Sequence, residues 1–343
     1  MIFRRTLLTL FLIAAALAIY AAYETLRPYG GFSVDVFVDV RRGAGASEIA
    51  SRLESAGVLR SGWPFLLIRL LRPGWVLKAG EYRFDSPLSP LEVHRKIALG
   101  EVFYHSLTIP EGYSLFEIAA AVTRTVGISR AEFLLAAGRG ERVSDLAPGA
   151  RSLEGFLFPD TYRLTRHTTA DELVGQMLGR FRHVFAELGP AGDPWETVVL
   201  ASLVEKETAV AAERPLVASV YRNRLRVGMP LQCDPTVIYG LLLANRFRGE
   251  IYKDDLSFPS PYNTYLRPGL PPGPIANPGR ASLRAALAPV HTDYLYFVAD
   301  NKGGHVFSGS LDRHSRAVVS YRRANQPRPA ARPAPRKNNA RRR

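Results

Sequence analysis

The stretch from Thr6 to Tyr23 carries no charge, and an apolar run of that length has few places to go. A bilayer is crossed by about 17–25 predominantly apolar helical residues, so this run is long enough to span one. Arg4 and Arg5 precede it. Basic residues favour the cytoplasmic side, which puts the N-terminus inside and everything after the run outside. Ala16-Leu17-Ala18 resembles the small-residue site at which a secretory signal is cut, so a processed signal peptide is the competing reading. The apolar run continues past that site through Tyr20 and Tyr23, which favours an uncleaved anchor over residues 1–28.

Composition matters here mainly for what it removes. The net charge of +14 would suit a nucleic-acid binder, but nine of those charges belong to basic residues from Arg322 onward, a stretch without a single acid. The rest carries only +5, so no nucleic-acid partner is expected and the tail 324–343, rich in Pro and Arg, reads as disordered. A single cysteine, Cys233, allows no internal disulfide.

Past the anchor the pattern changes to alternation. Val34, Val36, Val38 and Val40 are separated by Asp35, Phe37 and Asp39, which predicts a strand. A glycine turn and an amphipathic helix follow over Gly43–Leu59. A related unit returns at Glu111–Ser129, with Glu117-Ile118-Ala119 matching Glu48-Ile49-Ala50 and Phe133-Leu134-Leu135 matching Phe65-Leu66-Leu67. Strand, turn, helix and short helix is the plan of glycan-binding modules of the LysM type. Two ordinary β-α units packed together fit the same pattern. Lys78–Val93 reads as strand, turn and helix, Ala170–Leu188 as an amphipathic helix, and Pro215–Gly228 as another. Tyr294–Val298, the turn Asn301–Gly304 and His305–Phe307 predict a hairpin.

The chemistry concentrates in LASLVEKET, Leu200–Thr208. Asp193 offers an N-cap, Pro194 suits the first turn, and Glu196 stands where a capping box would place it. At about 100° per residue, Leu200, Leu203 and Val204 share a face with Glu207, while Glu205 points roughly 160° away. A carboxyl at the end of an apolar stripe is held protonated by burial, as a general acid requires. The spacing also suits a solvated helix end with two surface glutamates, and periodicity does not separate the two. Other classes lack their signatures: there is no G-x-S-x-G, H-E-x-x-H, C-x-x-C or phosphate-binding G-x-x-x-x-G-K-[ST], and the seven histidines show no ligand spacing. No metal and no cofactor are expected. The Pro/Gly-rich segment Ser260–Gly279 presents Tyr262, Asn263 and Tyr265 on a stiff loop, and such loops serve as binding walls.

Four motifs in order now carry a resemblance. LASLVEKET, then NRLRVGMPLQCDPTVIYG, then YNTYLRPGLPPGPIANPG, then YLYFVADNKGGHVF resemble the MltG/YceG-like family of endolytic murein transglycosylases, with similarity from the anchor to about Tyr321. The resemblance implies an α+β chain with a single N-terminal transmembrane helix, a small LysM-like domain over 32–107, and a mixed α+β catalytic domain over 108–323. It implies a single-pass inner-membrane protein, largely periplasmic, that acts on peptidoglycan glycan strands beside peptidoglycan synthases. Glu207 falls on the family's catalytic glutamate, and Cys233 stands where a small polar residue is expected. The implied lyase reaction needs one carboxyl group, whereas a hydrolase needs a second, for which Asp234, Asp160 and Glu154 are the candidates. Asp234, followed by Pro235, also reads as a helix cap. Gln232, Tyr239, Tyr262 and Asn263 are the candidate groove residues, each equally compatible with a structural role. A non-catalytic, anchored glycan-binding scaffold is the alternative from another class.

Overall fold

The computed structural model describes residues 2–325. All but the first two positions of the expected disordered tail lie outside the described residues. Two compact units divide the chain: the first runs to Leu107 and takes in Val122–Gly127 and Thr161–Thr169, and the second holds the remainder. The chain therefore passes between units not only after Leu107, where the sequence places its boundary, but again on either side of those two segments.

The first unit opens with helix α1 (Ile2–Leu26), whose Phe3–Leu26 segment is long and apolar enough to cross a membrane. Strand β1 (Val36–Val40), helices α2 (Ala46–Ser55) and α3 (Trp63–Leu71) and strand β2 (Gly80–Phe84) follow. The two strands pair antiparallel, with Val38 opposite Tyr82. Alternation along β1 sends Val38 and Val40 into a core with Ile49, Leu53, Phe65, Tyr82 and Phe84. Each such side chain contributes about 1.5–3 kcal/mol on full burial. Helix α4 (Pro90–Leu99) begins on a reciprocal capping box between Ser89 and Glu92 and ends on Gly100 at φ +75°, the left-handed C-cap that favours glycine.

Strand β3 (His105–Thr108), helices α5 (Leu115–Val126) and α6 (Arg130–Ala137) and strand β4 (Thr161–Leu164) repeat the order strand-helix-helix-strand, with β3 hydrogen-bonded to β4. The sequence repeat thus corresponds to a repeated order of elements. Three of its matched pairs are buried in both copies, Ile49 with Ile118, Ala50 with Ala119 and Phe65 with Phe133, whereas Leu135, matched to Leu67, is 71% exposed.

The second unit is built around helices α7 (Ala170–Glu187), α8 (Pro194–Glu207), α9 (Arg214–Arg226), α10 (Asp234–Leu243) and α11 (Arg280–Leu287). Strands β5 (Tyr296–Ala299) and β6 (His305–Ser308) form the hairpin, β5 starting two residues later than the sequence places it and β6 starting where expected, and α12 (Leu311–Ala324) closes the described chain. Helix α8 packs against α9, α10 and α11, and every residue from Thr197 to Val204 is buried. Over that stretch no face meets solvent, so the apolar stripe inferred from periodicity is one side of a helix whose middle is enclosed all round.

Candidate active site

Helix α8 starts where its cap predicts, the Asp193 side chain accepting a hydrogen bond from the Trp195 N–H at 2.9 Å. Glu196 does not complete a capping box and instead pairs with Arg222 at 3.7 Å. At the other end Thr208 leaves the helix in an extended conformation (φ −141°). Its hydroxyl accepts from the Val210 N–H and donates to Glu213, each at 3.0 Å. Glu207 is therefore the last helical residue, projecting from a rigid, buried rod.

Glu205, which helical spacing turns away from the apolar face, is enclosed as well as Glu207, and it is a salt-bridge partner. The Glu205 side chain is 4% exposed, 2.9 Å from the Arg214 guanidinium, and accepts from the Gly279 N–H at 2.9 Å. Arg214 also reaches Glu111 at 3.4 Å. Burial pushes the Glu111 carboxyl up, helped by the charge of Glu205 and opposed by Arg214. Glu207 has different company. The Tyr221 hydroxyl of α9 donates to its Oε1 at 2.6 Å, and the buried Cys233 thiol hydrogen-bonds to the same carboxyl. Among the described residues no lysine or arginine pairs with it. Burial raises its pKa above the ordinary carboxylate range; hydrogen bonds from Tyr221 and Cys233 oppose the rise, Asp234 adds to it and His305 opposes it.

The three candidate second carboxylates separate cleanly. Asp160 is ion-paired with Arg180 at 2.8 Å. Glu154 is 2% exposed, and its oxygens are occupied by the Leu115 N–H (3.0 Å), the Tyr239 hydroxyl (2.9 Å) and the Asn277 amide (2.9 Å). Burial pushes the Glu154 carboxyl up to about 8 despite these donors. Asp234 is exposed and lies within the electrostatic surroundings of Glu207. It is not the cap of α10: Cys233 occupies that position, and Asp234 instead accepts a 2.5 Å hydrogen bond from the Tyr265 hydroxyl.

The candidate groove residues fall into two groups. Gln232 is exposed, holds the left-handed conformation (φ 51°) that a non-glycine rarely adopts, and adjoins Cys233 beside Glu207. Tyr239 and Tyr262 lie against each other, ring centroids 4.9 Å apart, and Tyr239 is tied to the inaccessible Glu154. Asn263 is fully buried, its amide donating to Leu256 and Phe258 while its oxygen accepts from the Tyr265 N–H, so it shapes the loop, the structural role that the sequence left open beside groove binding. Sequence reasoning missed Tyr221 and His305 altogether. His305 hydrogen-bonds through Nδ1 to Glu213 at 2.7 Å. No spacing links these residues to Glu207, because each arrives on its own element. A separate cleft of about 690 Å³ is lined by Ser219, Arg222, Arg226, Leu270 and His291, and Glu207 takes no part in it.

Comparison with known proteins supplies what geometry alone does not. The profile of the YceG-like family matches residues 38–320. An endolytic murein transglycosylase of Bacillus subtilis (strain 168) is 31% identical over 307 residues, covering 83% of this chain and 84% of that protein. A second endolytic murein transglycosylase, of Streptococcus pneumoniae serotype 2 (strain D39 / NCTC 7466), is 32% identical over 323 residues, covering 83% of this chain and 58% of the longer relative. Among solved structures, a yceG-like protein of Listeria monocytogenes aligns with a TM-score of 0.53 and 30% identity, covering 83% of this chain and 99% of its own.

Proposed function

Because this chain belongs to the YceG-like family, we propose that it is a membrane-anchored murein lytic transglycosylase with Glu207 as its single acid–base residue. The observation that carries the assignment is the enclosed carboxyl of Glu207 at the end of a buried helix, ion-paired with no lysine or arginine among the described residues, in a chain whose relatives are named endolytic murein transglycosylases. Burial favours the protonated form of Glu207, the form in which a general acid must meet its substrate.

The chemistry follows from one proton moving twice. Protonated Glu207 gives its proton to the oxygen bridging MurNAc C1 and GlcNAc, and the C1–O bond breaks as positive charge develops at C1. Glu207, now a carboxylate held by the Tyr221 hydroxyl, takes the proton of the muramoyl C6 hydroxyl. That oxygen closes onto C1, giving a 1,6-anhydro end and restoring the acid. Water is neither consumed nor released, so the reaction is a lyase reaction and needs no cofactor. Cleavage inside nascent strands would end their elongation beside the synthases that make them. We assign glycan binding to the β1-α2-α3-β2 module on its LysM-like order of elements. Gln232 and the Tyr239–Tyr262 pair line the groove in this reading, and Arg4 and Arg5 in the first turns of α1, ahead of its uncharged run, support a periplasmic active unit.

Asp234 favours one other reading. An exposed carboxylate beside a buried acid is the pair a muramidase would use to direct water. Mass analysis of muropeptides from purified strands separates the two. The lyase gives 1,6-anhydro ends lighter by one water, whereas reducing ends would establish hydrolysis. Glu207→Gln is expected to bind strands and leave them uncut, since general acid–base help is worth about 10²–10⁴-fold and one residue here serves both steps. Strand cleavage at the wild-type rate by that variant would overturn the assignment.

A further inference from the structure

Helix α3 has the sequence WPFLLIRLL, in which Arg69 is the only charge. A helix that is apolar all round is ordinarily covered all round. This one is not. Pro64, Phe65 and Ile68 enter the core, while Trp63, Leu70 and Leu71 are 39%, 76% and 68% exposed. Val76 in the following turn is 66% exposed, and Trp75 beside it is partly exposed. Left in water, such a patch forfeits about 25 cal/mol for every Å² that another apolar surface would cover.

Two further observations indicate what covers it. The first is level. The Trp63 ring stacks on Tyr20 of α1, centroids 6.1 Å apart. At about 1.5 Å per residue, Tyr20 lies roughly 9 Å below the C-terminal end of α1. The apolar segment continues to Leu26, so Trp63 sits within the depth that segment spans. The second is charge. From Ser55 to Ala79 the chain holds Arg60, Arg69, Arg72 and Lys78 and no acid. Arg69 reaches the Pro73 carbonyl at 2.7 Å, and the Arg72 guanidinium lies 5.6 Å over the Trp75 ring. Tryptophan with arginine around leucine is the side-chain set that settles where acyl chains meet anionic headgroups.

We propose that the outer face of α3 and the turn through Val76 lie in the headgroup layer of the bilayer that α1 spans, making the first unit a second point of membrane contact. This rests on α1 being a membrane span. The test uses the full chain, reconstituted in phosphatidylethanolamine–phosphatidylglycerol vesicles with brominated acyl chains. Trp63→Phe leaves Trp75 and Trp195, and subtracting the signal of the Trp63→Phe/Trp75→Phe double variant isolates Trp75. Flotation of the vesicles reports the anchor separately. The expected result is quenched Trp75 emission that is lost in Leu70→Asp/Leu71→Asp/Val76→Asp, while that variant still floats. A chain that floats with Trp75 unquenched overturns the proposal and leaves the anchor standing. Cross-linking between copies at Leu71 without quenching overturns it in favour of self-association. A chain that fails to float removes the anchor and this contact together.

Discussion

Glu205 and Glu207 stand two positions apart at the end of α8, yet one faces Arg214 and the other Tyr221 and Cys233. A buried carboxylate beside a guanidinium has its counter-charge, whereas burial of a carboxyl without such a partner favours the protonated form. Tyr221 works against burial here, since its donated hydrogen bond favours the ionised form. Tyr221→Phe should therefore raise the Glu207 pKa further. The limb of the pH–rate profile on which the acid deprotonates then moves to higher pH, while the maximal rate falls with loss of the group that holds the carboxylate. A kcat profile across that limb checks this, and a shift to lower pH would contradict the assigned direction. The sequence marked Glu207 through helical spacing, and the residue was legible that way for an incomplete reason. Both glutamates are enclosed; what distinguishes them is the partner each meets from a distant segment, and no local pattern encodes that.

Helix α8 was legible from Asp193 and Pro194 through to Glu207 because caps and proline act within a turn. The repeat was legible for a related reason, since Ile49 and Ile118, Ala50 and Ala119, and Phe65 and Phe133 meet the same demand for burial twice. The loops were not. Asn277 reads as part of a Pro/Gly-rich surface wall, but it is buried, donating to the Tyr113 carbonyl and to Glu154 and accepting from the Leu157 N–H. Beside it the segment carrying Glu154 turns at Gly155, which holds φ +87°. A Cβ there would meet Pro274 at 2.6 Å and Val198 at 2.7 Å. Gly155→Ala is expected to cost about 1–3 kcal/mol for the conformation alone, with the clash against α8 in addition. A drop in the thermal unfolding midpoint measures it, and an unchanged midpoint would mean that the loop relaxes freely.

For the molecule as a whole, the anchor sets the first prediction to check. An uncleaved α1 predicts that N-terminal sequencing of the mature protein finds its original start, whereas a start at Ile19 would mark a processed signal and leave the chain unanchored. The link that follows α1 also matters. Only residues 27–35 separate α1 from β1, and they are not slack: Tyr29 exchanges backbone hydrogen bonds with Leu88, and the Gly31 N–H donates to Gly57. A free linker would let its domain roam a hemisphere, diluting it through that volume. With α1 as the proposed anchor, a pinned one would give the first unit a short leash and a two-dimensional search, in which encounters with glycan would depend on lateral diffusion and on how near the membrane the glycan lies. Lengthening that link with flexible residues should then slow cutting of strands still at their membrane-bound origin while leaving the turnover of soluble fragments untouched.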